Sequence, residues 1–197
     1  MMVRMHKNTF AGLFIALLLI LGVTLPACTC GAPPAEKPAE KPVEKPVAEG
    51  LSFEAAEYVN DTYGFSVKYP NGWTAKPPAP GPTVVFGASS PAKVPAIIVD
   101  VVDGATFRDA LTGTITGAGG SAIKVFSETA TALSDGTPAT EAEGAFSIKD
   151  VPIPLDAFWL GVKKGDKWVI VSVVTVGVVA EYNKTLFSEI AHTLQFK

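Results

Sequence analysis

The chain has 197 residues, a formal net charge of −3 and 48% hydrophobic residues. This length suits one domain with additional segments, and the absence of a basic patch argues against nucleic acid as a partner. Only two cysteines are present, both near the N-terminus, so the rest of the chain can form neither a disulfide framework nor a cysteine-rich zinc site.

The N-terminal segment predicts export and lipid anchoring. Arg4 and Lys7 precede an uncharged apolar run over residues 10–27, which is the pattern of a secretory signal. The run ends in Leu25-Pro-Ala-Cys28, which resembles the bacterial lipobox, so we expect cleavage before Cys28 and acylation of that cysteine. Several acyl chains give stable anchoring. An uncleaved helical anchor and an ordinary cleaved signal are the alternatives, and all three place the domain outside the cytoplasm.

Residues 28–50 predict a linker between the lipidated cysteine and the domain. Glu-Lys-Pro recurs at 36–38, 40–42 and 44–46, and proline at this spacing removes backbone donors and blocks helix formation. A polyproline II chain rises about 3.1 Å per residue, so about twenty residues reach roughly 60 Å. The segment is either a stalk that holds the domain off the membrane or a passive tether.

The remaining residues, 51–197, are predicted to form one globular domain. Period-two alternation and short apolar runs bounded by turn residues predict strands at 65–69, 83–86, 96–102, 123–132, 139–148, 155–162, 167–176 and, as a short edge strand, 194–196.

Two of these strands carry further predictions. In the first, alternation places Phe65, Val67 and Tyr69 on the core face. The strand over 167–176 is apolar on both faces apart from a serine and a threonine, which predicts the central position in the sheet. It follows Gly165-Asp166, a pair that suits a two-residue type II′ hairpin turn.

Amphipathic periodicity predicts two helices, over 106–117 and 178–192. Thr106 and Asp109 form a capping-box-like pair at the start of the first helix, and the glycine-rich segment 117–120 is typical of a helix end. Hairpins dominate the order of elements. The sequence therefore predicts an α+β fold, with a central antiparallel β-sheet of about six to seven strands flanked by helices.

Two short segments resemble the PsbP-like family. Gly64-Phe-Ser-Val-Lys-Tyr-Pro-Asn-Gly-Trp73 is similar to that family's opening pattern GF-x-x-x-x-P-x-x-W, and the hairpin followed by 182–187 and 194–196 is similar to its last strand pair and closing helix. The resemblance implies an α/β/α sandwich and an extrinsic, lipid-anchored, non-enzymatic role. The metal sites of that family that involve histidine have no match in this sequence, because His192 is the only histidine in the domain.

Few residues suggest catalysis or metal binding. His192 lies in the last turn of a predicted helix, where an imidazole favours the helix dipole, and a helix-cap or surface role is expected for it rather than a place in a catalytic triad. Carboxylates that share a strand face or surround a turn are candidate Ca²⁺ ligands, with solvated surface as the alternative; they are Asp100, Asp103, Asp109, Glu141 and Glu143.

The proline-rich loop after the first strand is the predicted contact surface for a partner. It comprises Trp73, Lys76, Pro77 and Pro78, which combine an aromatic side chain with a rigid backbone. A plain connector is the alternative interpretation.

These patterns together predict a membrane-tethered, extracytoplasmic lipoprotein. Its domain is expected to serve in interaction or assembly with an envelope protein, without enzymatic activity and without a cofactor. The alternatives are a small-ligand or Ca²⁺-binding envelope domain and an enzyme of a type that no motif reveals.

Overall fold

The computed structural model describes residues 50–76, 83–149, 151–177 and 183–197. The predicted signal, Cys28 and nearly all of the predicted linker lie outside these residues, as do Pro77 and Pro78. The elements within the described ranges are β1 (Ala55–Asn60), β2 (Phe65–Pro70), β3 (Thr74–Lys76), β4 (Val84–Ser89), β5 (Ala96–Asp103), α1 (Phe107–Gly117), β6 (Gly120–Ala132), β7 (Pro138–Ile148), β8 (Leu155–Lys164), β9 (Lys167–Val176), α2 (Lys184–Ala191) and β10 (Gln195–Phe196).

Two antiparallel sheets form the domain. The larger has seven strands in the order β3-β4-β5-β9-β8-β7-β6, and the smaller has three in the order β1-β2-β10. Neither helix of the described residues is long and apolar enough to cross a membrane. The α+β fold with an antiparallel sheet of seven strands and flanking helices is confirmed.

Each face of the large sheet carries its own core. One face packs against α1, whose Phe107, Leu111 and Ile115 are buried as their spacing predicted. The other face packs against α2 and the small sheet, through residues such as Phe158 of β8 and Phe187 of α2. The layers are therefore α1, the seven-stranded sheet, and α2 beside the small sheet.

Strand β9 occupies the centre of the large sheet, between β5 and β8. Eight of its ten residues are buried, and its valine and isoleucine side chains are those that suit a strand covered on both faces. The β8–β9 hairpin turns at Gly165, whose φ of 64° meets the type II′ requirement at the first turn position. Both predictions for this strand are confirmed.

The start and end of the domain meet in the small sheet. Phe65 and Val67 of β2 are 0% exposed and Tyr69 packs against the same core, which confirms the predicted core face of this strand. β10 pairs with β2 through Phe196 opposite Phe65. The helix predicted over 178–192 begins at Lys184 in the described residues, and 178–182 lie outside them.

Helix α1 is held closely to the large sheet. Its N-cap Thr106 forms the predicted capping box with Asp109, and its end is followed by Gly119 with φ 78°. Across the interface, a Cβ atom on Gly161 of β8 would lie 2.5 Å from Cδ2 of Phe107. The absence of a side chain at Gly161 therefore sets how closely the helix approaches.

Candidate functional site

Two open clefts border helix α2. The first, which we call the Trp73 slot, has a volume of about 530 Å³ and is lined by Ser52, Phe53, Pro70, Trp73, Ser90, Pro95, Asn183, Thr185 and Leu186. None of these lining residues carries a charge at neutral pH. The slot therefore offers aromatic, proline and hydroxyl surface, which favours an uncharged or amphipathic contact.

Trp73 is positioned by the turn that follows β2. Its backbone N–H donates to the Pro70 carbonyl at 3.1 Å, and Asn71 N–H donates to Glu54 O at 2.7 Å, which ties this turn to the start of the domain. The Trp73 side chain is partly buried against the core beside α2. Lys76 lies exposed at the end of β3 and is not among the residues that line the slot.

The second cleft also borders α2, shares Ser52 and Thr185 with the first, and is named here the α2 cleft. Its volume is about 930 Å³, and its lining is mostly polar and charged; the residues are Gly50, Leu51, Ser52, Lys68, Thr131, Ser134, Glu141, Lys184, Thr185, Ser188, Glu189, His192, Thr193 and Gln195. The volume lies within the range of small-molecule sites, whereas most such sites are lined mainly by apolar and aromatic side chains.

His192 forms the C-cap of α2, as the sequence predicted, but its side chain is largely buried. Only 16% of that side chain is exposed. Its ring lies 6.4 Å from the Phe158 ring. Nδ1 lies 2.9 Å from the Ser188 carbonyl and 3.2 Å from Ser188 Oγ, while Nε2 faces Glu141 Oε2 at 3.7 Å.

The contacts of His192 determine its chemistry. A carbonyl oxygen accepts only, so the bond to Ser188 O requires Nδ1 to carry hydrogen. Nδ1 therefore cannot take the proton of the Ser188 hydroxyl, and the serine–histidine–glutamate arrangement lacks the step by which such a triad activates its nucleophile. The nitrogen that remains for chemistry is Nε2, beside Glu141.

Glu143 lies two residues from Glu141 on β7 and shares its strand face, as the alternation predicted, and the two carboxylates face Lys184 and His192 at α2. Glu143 pairs with the Lys184 ammonium, and Ser127 Oγ donates to its Oε1 at 3.4 Å. The hydrogen bond from Lys184 to Glu143 raises the pKa of Lys184. Farther along the cleft, the Glu189 carboxylate accepts hydrogen bonds from the backbone and hydroxyl of Ser52.

The other three predicted Ca²⁺ ligands are Asp100, Asp103 and Asp109, and each has a different partner. Asp100 is buried on β5, where its Oδ1 accepts from Thr83 Oγ1 at 2.8 Å. Asp103 is exposed and pairs with Lys167 at 2.7 Å, while Asp109 caps α1. Within the described ranges, no three histidine, cysteine or acidic side chains are placed to hold a metal ion together. The Ca²⁺ hypothesis stays a prediction.

Asp100 is the buried carboxyl of this set, with 1% of the residue exposed. Its burial raises its pKa from 3.8 to about 6, and the hydrogen bond from Thr83 opposes that rise. Oδ2 of Asp100 has no hydrogen-bond partner in the described structure. Such a group weakens folding when it ionises, so the ionisation of Asp100 bears on the stability of the domain.

Sequence reasoning did not find the meeting of Glu141 with His192. The spacing of Ser188 and His192, four residues apart on one helix, is a readable signal for their contact. Glu141 comes from the middle of β7, and only the packing of α2 on the sheet brings it to His192.

Comparison with solved structures identifies a similar fold. The solution structure of cyanobacterial PsbP (CyanoP) from Synechocystis sp. PCC 6803 matches with a TM-score of 0.54 and 15% identity, over 75% of this chain and 95% of that one. This likeness confirms a PsbP-like fold for the domain. No protein-family model matches the sequence, and no curated protein matches it.

Two more distant structures also align. A protein from Bacteroides thetaiotaomicron VPI-5482 matches at a TM-score of 0.44 and 12% identity, over 72% of this chain and 48% of that one. A protein of unknown function from Pseudomonas aeruginosa matches at a TM-score of 0.41 and 12% identity, over 73% of this chain and 98% of that one.

Proposed function

We propose that this protein is a membrane-tethered, extracytoplasmic lipoprotein whose PsbP-like domain is a non-enzymatic interaction module. The observation that supports it most is the fold shared with cyanobacterial PsbP. The lipobox-like residues that end at Cys28, followed by the Glu-Lys-Pro linker, support the tethered state. Several acyl chains at one cysteine hold a protein at a membrane without a spanning helix.

The Trp73 slot is the surface we assign to the partner. Of the three tryptophans, Trp159 is 0% exposed and Trp168 is 8% exposed, whereas Trp73 lies partly open in an uncharged slot. A tryptophan that lines a cleft offers a large apolar surface together with one N–H donor. Such residues dominate binding energy at protein interfaces.

Replacement of Cys28 tests the tether. Cys28→Ser should move the protein from the membrane fraction to the secreted or periplasmic fraction, because the acceptor of the acyl chain is lost. Cys30→Ser is the matched control, since it removes the other cysteine and leaves the lipobox intact. If Cys28→Ser stays in the membrane fraction, the tether is an uncleaved helix and the lipoprotein assignment is wrong.

A photo-crosslinking residue at position 73 tests the interaction surface. It should capture an envelope protein in living cells, and the same residue at Asp166, an exposed turn position remote in sequence, should not. For the partner captured, Trp73→Ala should weaken binding by about thirtyfold, the loss expected at an interface hot spot. Equal capture at both positions would contradict a specific surface at the slot.

A second candidate function is the binding of a small ligand, which the α2 cleft favours. Its volume of about 930 Å³ lies within the range of small-molecule sites. A ligand that binds only the folded state raises the melting temperature by mass action. A thermal-shift screen of polar metabolites should find one whose effect is lost in Glu141→Gln, and a screen without any shift would remove this candidate.

A further inference from the structure

We propose that Glu141 and His192 form a two-ligand site for a divalent transition-metal ion such as Zn²⁺ on the wall of the α2 cleft. His192 Nε2 and one Glu141 oxygen are the protein ligands. The remaining coordination positions face the cleft and are filled by water or by a ligand bound there. This site does not depend on the interaction proposed for the Trp73 slot.

The orientation of the imidazole is that of a metal ligand. Nδ1 donates to the Ser188 carbonyl at 2.9 Å, which fixes the hydrogen on Nδ1 and leaves the lone pair of neutral histidine on Nε2. Metal-bound histidines usually donate their second nitrogen to a carbonyl or carboxylate, and this bond orients the ring. The side chain rests on Phe158 and is 16% exposed, so little freedom is lost on binding.

The spacing of the two ligand atoms suits an ion between them. Zinc binds histidine nitrogen at about 2.0–2.1 Å and carboxylate oxygen at about 2.0–2.2 Å. In tetrahedral coordination, two such ligand atoms lie about 3.4 Å apart. Nε2 and Oε2 are 3.7 Å apart, so an ion can be accommodated by a small rotation of the carboxylate.

Local charge also calls for a cation at this point. With His192 neutral, its lone pair faces the Glu141 carboxylate, which is unfavourable unless a proton or a metal ion lies between them. The charged side chains around it are Lys68 and Lys184 against Glu141, Glu143 and Glu189, which leaves one excess negative charge. A divalent ion more than offsets that excess, and it takes the place of the proton that an imidazolium–carboxylate pair would hold.

The donor set selects the class of ion. Imidazole with a carboxylate suits zinc, copper, nickel and iron, whereas Ca²⁺ requires six to eight oxygen ligands. Glu143, the neighbouring candidate for Ca²⁺ binding, is already paired with the Lys184 ammonium. The site therefore differs from the Ca²⁺ site expected from the sequence in its ligands as well as in its ion.

The test follows the His192 ring itself during a zinc titration of the full chain. The chain holds two histidines, so ¹⁵N-histidine labelling gives at most two imidazole spin systems, and His6→Asn identifies the other one. Because the ring is the reporter, zinc bound by Cys28 or Cys30 does not enter the measurement. Zn²⁺ should shift the Nε2 signal of His192, and Ca²⁺ at the same concentration should not.

Variants separate a metal site from an ion pair. Glu141→Gln should raise the zinc concentration needed for half of the shift by at least tenfold, whereas Glu143→Gln, the matched change on the same strand face, should alter it less than threefold. His192→Asn retains a donor for the Ser188 carbonyl and removes Nε2, so it should reduce the zinc-dependent rise in melting temperature.

Two results would overturn the proposal. One is an unshifted Nε2 signal at millimolar Zn²⁺, which would mean that the pair holds only a proton. The other is an equal zinc midpoint in the wild type and Glu141→Gln, which would mean that zinc binds His192 adventitiously, without Glu141 as a ligand.

Discussion

Asp100 gives the sharpest prediction for stability. Its residue is 1% exposed on β5, Thr83 donates to one of its oxygens, and the other has no partner in the described structure. Burial raises its pKa from 3.8 to about 6. The folded domain therefore retains this proton at pH values where the unfolded chain has released it.

The sign of the effect follows from that difference in proton binding. Between pH 3.8 and about 6, the folded state binds more protons than the unfolded state, so the free energy of unfolding falls as the pH rises. Above that window the free energy of unfolding has fallen by its full amount, which corresponds to about 3 kcal/mol. Asp100→Asn cannot ionise and should be more stable than the wild type at pH 7 by up to about 3 kcal/mol, or about 6–12 °C in melting temperature.

Chemical denaturation from pH 3.5 to 8 measures this effect as the difference between the two proteins. The contributions of other carboxylates cancel in the difference, which should vanish below about pH 4 and reach its full value near pH 7. Asp166→Asn, in an exposed turn, is the control and should show no such profile. A difference that is independent of pH, or a variant that is destabilised at pH 7, would refute the assignment of the cost to Asp100 ionisation.

Three further substitutions test helix α1 and the packing of the two cores, and the midpoint of unfolding in guanidinium chloride measures the effect of each. Gly161→Ala should destabilise by about 1–3 kcal/mol, because the new Cβ meets the Phe107 ring at 2.5 Å; unchanged stability would mean that α1 does not approach the sheet so closely. Gly113→Ala, within α1, should stabilise the domain by about 0.5–1 kcal/mol, because a Cβ added there meets open space. A loss of stability instead would contradict a helical, exposed position for Gly113. Phe65→Ala should cost about 3–5 kcal/mol, since Phe65 is 0% exposed, and a loss below 1 kcal/mol would place it outside the core.

Local patterns predicted most of the strands and the start of α1, which depends on side-chain chemistry. The capping box of Thr106 and Asp109 and the glycine turn before β9 are decided within a few residues, so they are readable directly. The apolar β9 was identified as central because a strand buried on both faces needs nonpolar side chains on both.

Strands β1 and β3 were not predicted, and both depend on partners elsewhere. β3 has three residues, all exposed, and is defined by its pairing with β4. β1 carries little apolar alternation, but Tyr58 stacks on Phe86 at 4.2 Å and donates to the Val85 carbonyl at 3.0 Å. Backbone pairing and a contact between distant residues leave no periodic signal in a short segment.

The candidate site was the least predictable part. The spacing of Ser188 and His192 indicates a contact on one helix, and the alternation of β7 places Glu141 and Glu143 on one face. Neither pattern says that this face meets α2. His192 was expected at a helix cap, which is confirmed, but its burial and its approach to Glu141 come from the packing of the helix on the sheet.

The sequence by itself determined the strand periods, the helix cap, the hairpin turn and the α+β class, because each depends on neighbours along the chain. It also carries the lipobox-like residues and the linker that underlie the predicted tether. Only the tertiary structure decided which charges are buried and which meet. Asp100 and Asp103 lie on the same strand, yet one is 1% exposed and the other has a side chain that is 79% exposed. Burial depends on the elements that cover a position, and those elements come from distant parts of the chain.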